Sequence, residues 1–418
     1  MSLLSAPPLP PGGDATVWQL ALRQAPAAGR SVLRLLRQMR HGQLELRTPH
    51  GLTLRFGAPH APAGLHARLE LHDWRVAAAA LRRGDIGFAE GYLDGLWSTP
   101  DLAALLRVML ANRREIDAAI HGHWAGRLLY RLRHRLRRNS RAGSRRNIHA
   151  HYDLGNGFYR LWLDDTMTYS SAWFGGDFGQ TLEQAQRAKM RRALQQAGVA
   201  EGARVLEIGC GWGALAEMAA REFGARVVGV TLSTEQLAHG MRRLAHAGLS
   251  ERVELRLQDY RDIADGPFDA IVSIEMIEAV GQAYWPAYFD AVRHLLRPGG
   301  RACIQAIVIR DELFERYLRG TDFIQQYVFP GGCLLSRGEI HRQAARAGLQ
   351  VRDELAFGAD YAETLRRWRR AFLAQLEAVR AQGFDERFVR LWTFYLAYCE
   401  AGFDAGDIDV VQVTLERA

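Results

Sequence analysis

An α/β fold on a doubly wound, Rossmann-like parallel sheet, preceded by a smaller α+β domain, is predicted by three observations. From about residue 181 onward, strand-like and helix-like segments alternate, the order that gives parallel strands with helices on both faces. One strand, ending at Ile208, runs directly into glycines at 209, 211 and 213 and then into a helix. The chain is 418 residues long, 48% hydrophobic and 24% charged. That is globular composition with room for two or three domains, and it excludes disordered and collagen-like classes.

Taken in order, residues 1–120 mix short strands with helices. Leu44–Leu46 and Leu52–Phe56 alternate apolar and polar residues around Pro49-His50-Gly51, which predicts a hairpin. Helices are expected over Trp74–Leu81 and Leu102–Leu110, the second opened by Thr99-Pro100-Asp101. Residues 121–147 form a basic connector to a domain spanning 148–418. There, Thr181 with Gln184 makes a capping box for a helix to about Ala197. The expected series continues as strand 204–208, helix 214–223, strand 226–230, helix 234–247, strands 252–257 and 268–274, helix 284–296 and strand 301–309. A helix pair near 361–381 and 385–402 precedes a last strand, 408–415.

Charge separates the two parts. Residues 1–150 carry a net of +13 and residues 151–418 a net of −5. The connector holds Arg127, Arg131, Arg133, Arg135, Arg137 and Arg138 beside Trp124, Leu128, Leu132 and Leu136, with no acid among them. A basic amphipathic stretch of this kind fits an anionic membrane surface. A solvated charge run and a nucleic-acid patch are the other readings, and no nucleic-acid module accompanies it. No apolar run reaches the roughly 18 residues of a membrane span. Cys210, Cys303, Cys333 and Cys399 stand far apart, so neither zinc ligation nor a disulfide framework is expected, and a cytoplasmic setting fits. Lys189 is the sole lysine of the chain. Asp164 and Asp165 lack metal companions and read as a solvated turn.

The glycine loop, Glu207-Ile208-Gly209-Cys210-Gly211-Trp212-Gly213, brings backbone N–H groups close to a ligand at a helix N-terminus. Nucleotide enzymes space their glycines G-x-G-x-x-G and end the second strand with an acid for the ribose. Here that strand ends Gly229-Val230-Thr231-Leu232-Ser233, which disfavours a dinucleotide. The order E-x-G-x-G-x-G resembles motif I of class I S-adenosylmethionine-dependent methyltransferases.

Further motifs narrow the resemblance. His151-Tyr152-Asp153-Leu154-Gly155-Asn156 precedes Met167-Thr168-Tyr169-Ser170-Ser171-Ala172. The glycine loop follows, then Ser273-Ile274-Glu275-Met276-Ile277-Glu278-Ala279-Val280-Gly281, Tyr361-Ala362-Glu363-Thr364-Leu365 and Tyr395-Leu396-Ala397-Tyr398-Cys399. In this order the set resembles the cyclopropane-fatty-acid-phospholipid synthase and mycolic-acid cyclopropane synthase family, densely over 145–418. Residues 30–120 are more loosely similar to the N-terminal domain of its phospholipid-acting members.

The resemblance implies S-adenosylmethionine as methyl donor, bound by Tyr169, Ser170, Gly209, Gly211, Thr231, Leu232, Gln236 and Tyr260. It also implies a bicarbonate ion as base, held by Glu278, Tyr361, the backbone at Ser171, a histidine and the backbone amide at Ile307, with Cys399 nearby. Two positions depart from the family. Ser171 stands where the family has cysteine, and Gln305 stands where it has histidine. Glutamine can hydrogen-bond an anion but cannot carry charge.

The implied reaction methylenates the cis double bond of an unsaturated phospholipid acyl chain to a cyclopropane, through a carbocation. Such a site must align alkene and sulfonium, exclude water and supply a base. Tyr169, Trp173, Phe174 and Tyr361 are aromatics suited to face a cation. With Gln305 in place of histidine, a methyl- or methylene-branched chain is the alternative product. A nucleic-acid-binding protein with a vestigial cofactor fold is the distant one. The expected enzyme sits peripherally on the inner face of the membrane, as a homodimer.

Overall fold

The computed structural model describes residues 15–58, 62, 64–120 and 154–418. The basic connector and His151-Tyr152-Asp153 lie outside them. The described residues form two compact units.

The first unit holds a four-stranded sheet, in the order β2-β1-β3-β4: β1 (Gln43–Arg47), β2 (Thr53–Gly57), β3 (His66–Leu71) and β4 (Trp97–Ser98). β1 and β2 are the expected hairpin, antiparallel with Leu44 opposite Phe56, and their alternation buries Leu44, Leu46, Leu54 and Phe56 on one face. Helices Arg75–Arg83 and Leu102–Ala111 match expectation. Asp101 caps the second by accepting from the Ala104 N–H at 3.0 Å. The glycine-punctuated segment after Gly84 is itself a helix, Asp85–Leu93. Its glycines serve packing: a Cβ on Gly87 would meet the Ala79 carbonyl oxygen at 2.2 Å, and one on Gly91 would meet Val76 Cγ2 at 2.5 Å.

This unit also takes in Phe384–Ala405, which differs from the expected boundary of 148–418. Helix Glu386–Asp404 packs on helix Leu102–Ala111, where Arg107 pairs with Glu400 and Asp404.

The second unit is built on a seven-stranded sheet. Its strands are β5 (Arg204–Ile208), β6 (Arg226–Thr231), β7 (Val253–Leu257), β8 (Phe268–Ile274), β9 (Leu296–Ile309), β10 (Leu349–Ala356) and β11 (Ile408–Arg417), in the order β10-β11-β9-β8-β5-β6-β7. β5 to β9 are parallel, and β11 runs antiparallel to both β9 and β10. Successive side chains point to opposite faces. Leu206, Ile208, Val228, Ile271 and Ile304 enter one buried cluster, and Val205, Val227, Ala270, Val272 and Cys303 enter the other. Two covered faces explain why these strands read as unbroken apolar runs. Each fully buried Leu, Ile or Val contributes roughly 1.5–3 kcal/mol.

The Thr181–Gln184 capping box is present, opening helix Leu182–Gln196. Residues 310–356 carry elements absent from the expected series: helices Asp311–Leu318, Phe323–Tyr327 and Arg337–Arg346, and strand β10. The strand order reverses between β5 and β8, and the glycine loop follows β5 at the carboxyl edge, the place where open α/β sheets receive ligands.

Candidate active site

The cavity at the carboxyl edge of the sheet is lined from the glycine loop outward. Gly209 and Gly213 take left-handed backbone, at φ 88° and 85°, and Gly211 at φ 50°. A Cβ on Gly209 would press Met276 Cγ at 2.9 Å, whereas one on Gly211 would meet nothing within 4 Å. Gly209 therefore serves a tight turn, and Gly211 leaves open space over the backbone. The eight residues expected at a cofactor site (Tyr169, Ser170, Gly209, Gly211, Thr231, Leu232, Gln236 and Tyr260) all line this one cavity.

Local hydrogen bonds set their positions. Thr231 Oγ1 lies 2.9 Å from Gln236 Oε1, and Ser233 Oγ accepts from the Gln236 N–H, capping helix Thr234–His246. Gln236 thus serves both the helix start and the cavity wall. Asp259 caps the turn that presents Tyr260 and forms a buried pair with Arg261 at 2.6 Å. Asn156 accepts from Trp212 Nε1 at 2.6 Å and donates to Glu235 at 3.0 Å, tying helix Asn156–Arg160 to the glycine loop.

Tyr169 sits in an aromatic wall. Its ring centroid lies 5.4 Å from those of Tyr159, Trp162 and Trp368, and Trp368 meets Tyr361 edge-on at 6.2 Å. Trp173 and Phe174 do other work, with Arg192 and Arg367 stacked over their rings.

The residues expected to hold an anion converge, but on a side chain that sequence reasoning passed over. Glu275 Oε1 accepts from the Ser171 backbone N–H at 2.8 Å and from Gln305 Nε2 at 2.7 Å, and Glu275 Oε2 accepts from the Tyr361 hydroxyl at 2.6 Å. Glu275 lines the cavity. Burial raises its carboxyl above the usual range, while Lys189 and these three donors pull it back down. Its backbone is left-handed, at φ 48°; among the described residues Met167 is the other non-glycine in that region. Such a conformation costs a non-glycine residue roughly 1–3 kcal/mol and concentrates at functional sites.

Glu278, expected at the anion site, is placed differently. Its Oε1 accepts from the Ile307 backbone N–H at 2.6 Å, and its buried Oε2 has no hydrogen-bond partner. Burial, and then the neighbouring Glu275, push its pKa up to about 8. Glu278 is a neutral buried acid at pH 7, and Ile307 serves it rather than the cavity. Cys399 lies on helix Glu386–Asp404, which belongs to the first unit.

Three further residues support the cluster. Gln305 Oε1 accepts from Gln412 Nε2 at 3.0 Å, and Gln412 Oε1 accepts from Arg192 at 2.7 Å. This chain turns the Gln305 amide so that its NH₂ faces Glu275. Lys189 is fully buried and donates to Ser170 Oγ at 2.6 Å. Asp164 and Asp165 form the expected turn, closed by the Met167 N–H to the Asp164 carbonyl at 2.8 Å with Asp165 exposed, but the Asp164 carboxyl is not solvated. Its Oδ2 accepts from Thr166, its Oδ1 is buried without a partner, and burial raises its pKa.

A methyl-donor site therefore has the parts it needs: a glycine cradle at a helix start, a polar second-strand end and an aromatic wall. A bicarbonate ion fits less well, because Ser171, Gln305 and Tyr361 already bind a carboxylate of the chain.

Sheet, glycine loop and cavity together define a class I S-adenosylmethionine-dependent methyltransferase, with that sulfonium compound as methyl donor. The sequence pattern of mycolic acid cyclopropane synthetase matches residues 139–413, and the chain belongs to that family. It is 42% identical over 392 residues to tuberculostearic acid methyltransferase UfaA1 of Mycobacterium tuberculosis, covering 92% of this chain and 90% of that one. It is 37% identical over 340 residues to the cyclopropane-fatty-acyl-phospholipid synthase of Escherichia coli, covering 81% and 84%. The crystal structure of mycolic acid cyclopropane synthase CmaA1 complexed with SAH and CTAB superposes with a TM-score of 0.61 at 33% identity, covering 65% of this chain and 98% of that one. Among the described residues, no helix is long and apolar enough to cross a membrane.

Proposed function

We propose that the chain methylates a cis double bond in an acyl chain of a membrane phospholipid, and that Glu275 takes the proton that ends the reaction. The alkene π pair forms a bond to the donor methyl while the carbon–sulfur bond breaks toward sulfur, leaving a carbocation on the acyl chain. Proton loss to the Glu275 carboxylate then neutralises the chain. The observation that carries this reading is the convergence of Ser171, Gln305 and Tyr361 on Glu275. Donors that the family resemblance assigns to a free anion hold instead a base covalently tethered to β8. Bicarbonate has no part in the proposal.

The product we favour is a methylene branch. A hydride shift toward the cationic carbon moves the charge onto the methyl-bearing carbon, and loss of a methyl proton then gives a C=CH2 branch on the open chain. Reduction to a methyl branch is a separate two-electron step. The relocated base, Gln305 in the histidine position and the 42% identity to UfaA1 support this outcome. Ring closure to a cyclopropane, by proton loss without the shift, is the second reading, supported by the similarity to the Escherichia coli synthase. The basic excess of residues 1–150 supports an anionic membrane surface as the place where substrate is met, with the enzyme on its cytoplasmic side.

The test incubates the protein with methyl-labelled donor and vesicles of cis-monounsaturated phospholipid, then fragments the acyl products by mass spectrometry. A C=CH2 branch on the open chain supports the favoured reading, and a ring supports the second. Absence of label from acyl chains refutes both.

A further inference from the structure

We propose that Lys189 is a positioning residue for the proton acceptor: its ammonium, sealed against Ser170, holds Glu275 in the ionised form that can take a proton. The inference rests on the reading of Glu275 as the base.

Lys189 is the one lysine of a chain that otherwise uses arginine for positive charge. An arginine-rich surface needs no lysine, so this residue answers to its local surroundings. It is fully buried on helix Leu182–Gln196 and lines the cavity. Its ammonium donates to Ser170 Oγ at 2.6 Å. The next residue, Ser171, offers its backbone N–H to Glu275 Oε1. Lys189 thus grips the same short turn that grips the carboxylate. An unpaired charge in such a place costs several kcal/mol, so its counter-charge must be close.

Three carboxyls interact with the ammonium from three other elements: Glu275 after β8, Glu207 in β5 and Asp164 before Thr166. Hydrogen bonding separates them. Glu207 accepts from the Ala216 backbone and Asp164 Oδ2 from Thr166, while Glu207 Oε2 and Asp164 Oδ1 are buried with no partner, and burial raises both groups. Glu275 has both oxygens satisfied by donors. The ionised partner of Lys189 is therefore Glu275. Arg192, on the same helix as Lys189, is committed to Asp353 and Gln412. Glu278 is raised by burial and then by Glu275, so it keeps its own proton and adds no negative charge beside Glu275. Burial pulls the ammonium down to about 8, and the carboxyls hold it up.

A buried carboxyl without a counter-charge keeps its proton at neutral pH and cannot act as a base. The ammonium costs Glu275 some intrinsic basicity and supplies the ionised fraction in return.

The experiment measures methyl transfer to phospholipid vesicles against pH for the full-length protein and for Lys189→Met, which keeps the chain's length and removes the charge. The acid limb of the variant's kcat profile is expected to move up by roughly one pH unit or more. Turnover should recover at alkaline pH, with affinity for S-adenosylhomocysteine within a few-fold of the parent. An unmoved limb with equal loss at every pH overturns the proposal. A second readout needs no change at Lys189: in protein labelled with ¹³Cε-lysine, one resonance reports this side chain. Glu275→Gln is expected to lower its titration midpoint, and an unchanged midpoint overturns the proposal even if Lys189→Met does not fold. If Glu275→Gln keeps parental turnover while the midpoint still moves, the base reading fails and the pairing stands.

Discussion

Replacing Glu275 by Gln tests the chemistry most directly. The amide has almost the volume of the acid, and its oxygen still accepts from the Ser171 N–H and Gln305 Nε2, now at 2.8 and 2.7 Å. Its NH₂ faces the Tyr361 hydroxyl, which can rotate its hydrogen away and accept. The fold is expected to survive, since charge-assisted bonds of roughly 1.5–3 kcal/mol give way to neutral ones of roughly 0.5–1.5, and Lys189, left without its counter-charge, releases its proton more readily. The proton acceptor is lost. General-base catalysis is worth roughly 10²- to 10⁴-fold, or about 3–5 kcal/mol of barrier. The assay is label transfer from the methyl donor to vesicle lipid at neutral pH, with calorimetric titration of S-adenosylhomocysteine as control. Turnover should fall by about 10²-fold or more while that affinity stays within a few-fold. Glu278→Gln is the internal comparison: it keeps the oxygen that accepts from Ile307 and replaces a neutral acid by a neutral amide. Its loss should stay within about tenfold, the equivalent of one ordinary hydrogen bond. Equal losses in the two variants, or near-parental rates for Glu275→Gln, would refute the assignment.

Other outcomes follow from the same geometry. Tyr361→Phe removes the donor to Glu275 Oε2; the carboxyl should become harder to ionise and the acid limb of the rate profile should rise, as read by kcat against pH. Gln412→Leu frees the Gln305 amide to flip, and turnover is expected to drop several-fold with donor affinity unchanged in the same titration. Glu278 holds its proton to about pH 8 in the fold, against 4.5 for an ordinary glutamate. Between those values the unfolded chain ionises and the folded chain does not, so this residue makes stability fall as pH rises, by at most about 4–5 kcal/mol. Thermal melts at pH 5 and pH 8 should therefore differ less in Glu278→Gln than in the parent. Exchanging the arginines of residues 121–147 for glutamine in the full chain should weaken binding to anionic vesicles and flatten its salt dependence; cosedimentation across a salt series reads both.

The doubly wound core was legible because β5, β6 and β8 are buried on both faces and leave continuous apolar runs. The glycine loop was legible because its backbone conformation demands glycine at 209 and 213. β10 was not, since an edge strand reading Leu-Gln-Val-Arg-Asp-Glu-Leu-Ala is mostly solvated and carries little apolar signal. Glu275 was hidden by its neighbour: two acids three residues apart invite assignment to the one that family motifs mark. Its partners lie 104, 86 and 30 residues away, and only tertiary structure joins them. One clue was present in the sequence. Gln305 cannot carry charge where a histidine is expected, and an additional acid at the end of β8 is the natural compensation. Two adjacent acids without metal companions read alike in sequence, and only the fold separates exposed Asp165 from the buried Asp164 carboxyl.

The C-terminal stretch has a consequence for how the molecule is made. Helix Glu386–Asp404 completes the first unit, and β11 fills the gap between β9 and β10 in the second. Each unit therefore waits on a segment distant in sequence: the first on residues 384–405, the second on β11. A polypeptide stalled or clipped before residue 408 would expose two strand edges at once, inviting intermolecular pairing. Cellular quality control would meet it as an aggregating species rather than a weakened enzyme.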